Sequence, residues 1–167
     1  MGRYRPPAPK KSPYISRQGF ECLQLELKQR WQLRKDVTAA LSAAAAEGDR
    51  SENAEYIYRK KQLREIDYRI RYLQKRLPEL TIVDRPPANT TQVFFGARVT
   101  LEDAEGKNHC YRIMGPDELD PGKGIISIDS PMAQAMMKKN VDDEIKVQTP
   151  AGEQYYFIVD IDYSESL

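Results

Sequence analysis

Two carboxylates three residues apart, Asp49 and Glu52, stand in the run Gly48-Asp49-Arg50-Ser51-Glu52-Asn53-Ala54-Glu55-Tyr56. Carboxylate oxygens are the hard donors that Mg²⁺ takes. Two of them cannot hold the ion tightly, but they can complete a site whose other ligands belong to a partner. The same spacing also has a structural reading. Asp followed three residues later by Glu is a capping box, and both acids suit the positive end of a helix dipole. On spacing alone capping is the stronger reading. What favours chemistry is the place of the pair, at the end of a long arm where several residue types would cap equally well.

The arm is legible in the residues on either side. Ser16 is a good N-cap, and a helix from there runs to about Ala46 through the alanines of residues 43–46. Gly48 interrupts the pattern. A second helix runs from about Ser51 to Leu77, where Pro78 ends it. The second helix repeats apolar residues by heptads: Tyr56, Leu63, Ile70 and Leu77, alternating with Arg59, Ile66 and Leu73. The first does the same with Phe20, Leu27, Arg34 and Leu41, alternating with Leu23, Arg30 and Val37. Folding the chain at residues 48–49 sets Phe20 against Leu77, Leu27 against Ile70, Arg34 against Leu63 and Leu41 against Tyr56. The same fold point pairs Leu23 with Leu73, Arg30 with Ile66 and Val37 with Arg59. One reversal satisfying both series predicts an antiparallel helical hairpin. Its arms of about 30 residues are on the order of 45 Å long. Arg30, Arg34 and Arg59 sit in the seam, where their stems can pack while their heads reach solvent, with Glu65 and Asp67 as plausible partners.

Beyond Pro78 the pattern changes. Residues 80–84 followed by Pro86-Pro87 suggest a strand end and a linker. Residues 93–101, 109–114, 124–128, 145–149 and 154–161 have strand character. Ser130 as cap and Pro131 at the first helical position open a helix to about Lys139. The expected fold class is α+β: an N-terminal coiled-coil hairpin over 14–80, and over 81–167 a small domain with an antiparallel sheet and one short helix. Residues 1–13 form a basic, Pro-rich tail.

Charge divides in the same place. Residues 1–80 hold 18 Lys and Arg against 10 Asp and Glu, a net of +8; residues 81–167 hold 8 against 15, a net of −7. The basic half suits a polyanionic partner. On the second helix Arg59, Lys60, Lys61, Arg64, Arg69, Arg71, Lys75 and Arg76 follow one another, and Lys60, Arg64 and Arg71 share a face. The start of the chain has no apolar signal core and no run approaches a membrane span, so a cytoplasmic protein without a membrane partner is expected. Cys22 and Cys110 fit no metal spacing and are expected as free thiols. His109, the sole histidine, has no evident partner in sequence and suits a surface or packing role.

The tip run, with Leu63-Arg64-Glu65-Ile66-Asp67 and Ile128-Asp129-Ser130-Pro131-Met132-Ala133, resembles the bacterial transcript cleavage factors GreA and GreB. Residues 93–97 and Tyr58-Arg59-Lys60-Lys61 look closer to GreB. The resemblance covers about residues 12–163. It implies an FKBP-like C-terminal domain that docks on the rim of the RNA polymerase secondary channel, and a coiled coil that enters the channel. It makes Asp49 and Glu52 the acids that share Mg²⁺ with the polymerase, with no cofactor held tightly by the chain alone. Ser51 and Asn53 match the polar residues beside them, and Asp129, Ser130 and Pro131 match the docking loop. The basic face, Arg59, Lys60, Lys61, Arg64 and Arg71, would meet the 3′ end of backtracked nascent RNA. Met132 and Met136 are expected to pack the docking helix against the sheet. Gln134 stands where the family pattern has arginine, and Asp142 where glycine is usual, in a turn.

The implied activity is that of a monomeric elongation factor. It is not an enzyme by itself, but stimulates cleavage by the polymerase and so rescues arrested complexes. Two other readings remain. A channel-bound regulator that inhibits without cleavage would not need Asp49 and Glu52. A prolyl isomerase or chaperone would need an aromatic-lined apolar cleft.

Overall fold

The computed structural model describes residues 6–48 and 53–167, in two compact units. One is Phe20–Leu80; the other joins the N-terminal residues through Gly19 to Thr81–Leu167.

The helical unit contains most of α1 (Arg17–Ala46) and all of α2 (Ala54–Arg76), followed by a single 3-10 turn, Leu77–Glu79, at Pro78. Ser16 caps α1, its hydroxyl accepting from the Gly19 N–H at 3.0 Å. The hairpin forms as its heptads predict. Val37, Ile66 and Ile70 make a buried cluster, with Leu27 and Leu63 packed on it. Every predicted seam position is at least half-buried, including Arg30, Arg34 and Arg59. Charged bridges tie the two helices: Arg34 Nε to Asp67 at 2.7 Å, and Arg69 to both oxygens of Glu26 at 2.7 and 2.9 Å. Asp67 is thus the partner expected for a seam arginine. Arg30 and Arg59 use Glu26 and Glu55 rather than Glu65, each pairing with the residue one turn away on its own helix.

The second unit is built on β3 (Arg98–Asp103), β4 (Asn108–Met114), β5 (Ile125–Ser127), β6 (Glu144–Thr149) and β7 (Gly152–Asp162), in the order β5-β4-β3-β7-β6. The α+β class holds. The sheet departs from pure antiparallel at one edge, where β5 runs parallel to β4. A helix, α3 (Pro131–Met136), covers the core of Val99, Leu101, Ile113, Ile145, Val147 and Ile158. It is shorter than expected: Met137 leaves the helix with ψ 131, and Lys138 follows with φ 65. Residues 93–97 are not strand. Gly96 has φ 89, so the apolar run packs as a turn, and a Cβ there would meet Leu167 at 2.8 Å. Asp142 takes φ 72, the conformation for which glycine is usual.

The N-terminal segment also belongs to this unit. β1 (Tyr14–Ser16) pairs in parallel with β2 (Thr81–Val83), and Ile15 is fully buried. Glu118 fastens β1 from the other side. Its carboxylate accepts from the Ser16 N–H at 3.1 Å, the Gly115 N–H at 3.0 Å and the Ser16 hydroxyl. The arm expected from residue 14 therefore gives way, in the structure, to a helical unit that starts at Phe20. Among the described residues no helix is long and apolar enough to cross a membrane.

Candidate functional site

The chain reverses between the last turn of α1 and the first of α2. Asp49, Ser51 and Glu52, three of the four residues expected at the tip site, lie outside the described residues; Asn53, the fourth, is described. Its side-chain oxygen accepts from the Tyr56 N–H at 3.0 Å, which makes it the N-cap of α2. Its amide donates to the main-chain carbonyl of Ala44 at 2.7 Å. Asn53 thus caps one helix and ties it to the other. This corrects the capping reading of the tip: α2 starts at Ala54, so the cap offered to Asp49 by its spacing is supplied by Asn53.

Along α2 the cations divide by their neighbours. Arg59 is half-buried and bound to Glu55 at 2.7 Å and to the Gln62 side chain at 3.1 Å. Arg69 is held by Glu26, and the Arg69 guanidinium, with help from Arg30, lowers the Glu26 carboxyl below its ordinary value. Lys60 lies over the Tyr56 ring, 5.9 Å from its centroid. Lys60, Lys61, Arg64 and Arg71 are exposed on the side away from the seam. Four of the five residues expected to meet RNA are thus presented to solvent, and Arg59 is turned to an internal pair.

The expected docking residues precede α3. Ser130 caps the helix by accepting from the Ala133 N–H at 3.2 Å, and Pro131 occupies its first turn. Asp129 is exposed, and its N–H donates to the Ser127 hydroxyl at 3.0 Å. Its carboxylate accepts from the Ser12 N–H at 2.8 Å and from the Ser12 hydroxyl, so the N-terminal segment lies against this loop. Gln134 donates to the Ile128 carbonyl at 2.6 Å, bracing the loop from the helix side. Met136 is fully buried and Met132 packs on the same core, as expected for a helix laid on a sheet.

Three anchors escaped the sequence: Glu118, the Glu26–Arg69 bridge, and Arg112. The last is buried and donates to the carbonyls of Glu165 and Ser166, holding the C-terminal segment. A buried arginine in a strand is the sort of residue that could have signalled this, but its partners are remote in sequence. His109 does have a partner, Asp103, at 2.8 Å across the β3–β4 turn, and it lowers the Asp103 carboxyl. Cys22 and Cys110 are free and exposed.

Comparison with known proteins gives these residues a family. Residues 13–82 match the model "Transcription elongation factor, N-terminal", and residues 88–163 match "Transcription elongation factor, GreA/GreB, C-term". The chain is 55% identical over 166 residues to transcription elongation factor GreB of Xanthomonas axonopodis pv. citri (strain 306), covering 98% of this chain and 99% of that one. It is 54% identical over 164 residues to GreB of Pseudomonas aeruginosa, covering 98% of each. It is 57% identical over 143 residues to GreB of Haemophilus influenzae, covering 85% and 90%. With both halves matched and relatives of this kind along nearly its whole length, the chain belongs to the GreA/GreB family of transcription elongation factors, on the GreB side.

Proposed function

We propose that this chain binds RNA polymerase and stimulates the polymerase's own cleavage of backtracked RNA, as an accessory factor and not as a complete enzyme. The observation that carries the reading is the cap of α2. Asn53 supplies it, so the N-cap position of α2 falls to neither Asp49 nor Glu52. Two acids at the end of an arm, neither of them the N-cap of α2, suit a role toward a partner. Family membership and the GreB relatives support polymerase as that partner.

A two-helix arm on the order of 45 Å long and about 20 Å across can enter a channel that excludes a globular domain. Asp49 and Glu52 would hold Mg²⁺ jointly with polymerase ligands. Their hard oxygens fit the ion, and their number fits only a shared site. The bound ion would make water a better nucleophile and offset charge on the phosphate. A carboxylate of the pair could also accept the proton that the water loses. Lys60, Lys61, Arg64 and Arg71 would hold the extruded RNA by its phosphates. Asp129, Ser130 and Pro131 would engage the rim of the secondary channel from a loop braced on the sheet domain.

The test is a stalled, backtracked elongation complex with and without the protein. Shortened RNA with a new 3′ end, extended on adding nucleotides, is the expected result. Bound protein that leaves RNA length unchanged would favour the inhibitory regulator. Changing Lys60, Lys61 and Arg64 together to Ala should slow cleavage of deeply backtracked complexes more than shallow ones, and the gap from wild type should narrow as salt rises and screens the phosphate contacts.

A further inference from the structure

The basic face of α2 carries an aromatic ring near its middle. Tyr68 is 71% exposed, the highest value among the exposed large hydrophobic side chains of the described residues. Arg64 precedes it by one turn and Arg71 follows it by one turn, with Lys61 and Lys75 two turns away on either side. At 3.6 residues per turn, Lys60, Lys61, Arg64, Tyr68, Arg71 and Lys75 fall within a sector of about 100°, opposite the seam. Four arginines of the arm are engaged: Arg30, Arg34, Arg59 and Arg69 each face a carboxylate. Lys61, Arg64, Arg71 and Lys75 face none among the described residues, and no Asp or Glu of α2 falls inside the sector.

An exposed ring among unpaired cations serves neither the seam nor an ion pair. It is the composition of a surface for single-stranded nucleic acid, where cations meet phosphates and a ring stacks on an unpaired base. A duplex would offer no such base, since its rings are stacked on one another. We propose that Tyr68 is a stacking platform for an unpaired base of the extruded RNA, with Arg64 and Arg71 on phosphates to either side. This rests on the reading that the arm meets RNA. It adds a base contact to a face otherwise understood through charge, and it predicts a preference for purines, whose larger rings stack better.

The experiment measures binding of a fluorescently labelled single-stranded oligoadenylate RNA to the full-length protein at low salt. Tyr68 is exposed on a helix, so Tyr68→Ala should leave the fold unchanged, which circular dichroism checks. Tyr68→Ala should weaken binding roughly five-fold to a hundred-fold, the range for loss of one base stack. Tyr68→Trp should restore it. An oligoribonucleotide with abasic positions should bind wild type and Tyr68→Ala equally. Equal binding of oligoadenylate by wild type and Tyr68→Ala overturns the proposal, as does no measurable binding by wild type. A loss that persists on the abasic strand also overturns it, since the ring would then act on something other than a base. Polymerase is absent, so the outcome is separate from that of the cleavage reading. RNA bound through Tyr68 without stimulated cleavage would leave the stack standing and remove the proposed function.

Discussion

The side-chain amide of Asn53 donates to the Ala44 carbonyl at 2.7 Å, joining the last turns of α1 to the cap of α2. The Ala44 carbonyl also accepts the Glu47 N–H at 3.2 Å, so the Asn53 amide fills its second acceptor site, while the Asn53 oxygen satisfies an orphan donor at the start of α2. Asn53→Ala removes both and should destabilise the tip by about 2 kcal/mol. Asn53→Asp keeps the cap and loses only the donor to Ala44, so it should recover about half. Amide hydrogen exchange at Tyr56 and in the last turn of α1 reads this directly. Equal protection in wild type and Asn53→Ala would show that neither bond matters.

The Glu26–Arg69 bridge should make the arm sensitive to acid. Arg69 lowers the Glu26 carboxyl below its ordinary value of 4.5, so the bridge's contribution is present above that pH and is lost as pH falls through the lowered folded value. Glu26→Gln should cost on the order of 1 kcal/mol at neutral pH, the upper end for a half-exposed pair screened by solvent. The difference from wild type should close on acidification. A gap in helix melting that is constant with pH would place the stabilisation elsewhere.

The docking loop offers a test in two variants. Asp129 is bound to Ser12, so its loss could act on polymerase or on the N-terminal segment. If Asp129 contacts polymerase, Asp129→Ala should weaken binding about ten-fold, as loss of a charged hydrogen bond does, while Ser12→Ala leaves it near wild type. Competition against labelled wild-type protein measures both. Equal weakening by the two variants would assign Asp129 the role of an anchor.

The hairpin was legible because its signals are periodic and local. The fold point inferred from two heptad series agrees with Leu27 packing on the cluster that holds Ile70, and with Ala44 meeting Asn53. Ser16 and Ser130 cap where small hydroxyls before helical residues should. What escaped has no period. β1 is three residues, too short to show alternation, and the partner of the strand read at residues 80–84 lies across the whole arm. The run at residues 93–97 is apolar because it is buried, and burial alone does not separate a turn from a strand. At the tip, Asp49, Ser51 and Asn53 are all good caps by type, and the choice of Asn53 depends on the carbonyl of Ala44, a contact that no spacing rule contains.

The central claim is that Asp49 serves chemistry and not helix capping, and Asp49→Asn measured at limiting Mg²⁺ tests it most directly. Asparagine caps a helix about as well as aspartate but is a poor Mg²⁺ ligand. With Asn53 already capping α2, the substitution should leave the helix content and polymerase binding of the protein near wild type. Stimulated cleavage of a backtracked complex should fall by at least ten-fold at limiting Mg²⁺ and recover in part when Mg²⁺ is raised. Cleavage by Asp49→Asn at the wild-type rate under limiting Mg²⁺ would contradict the account.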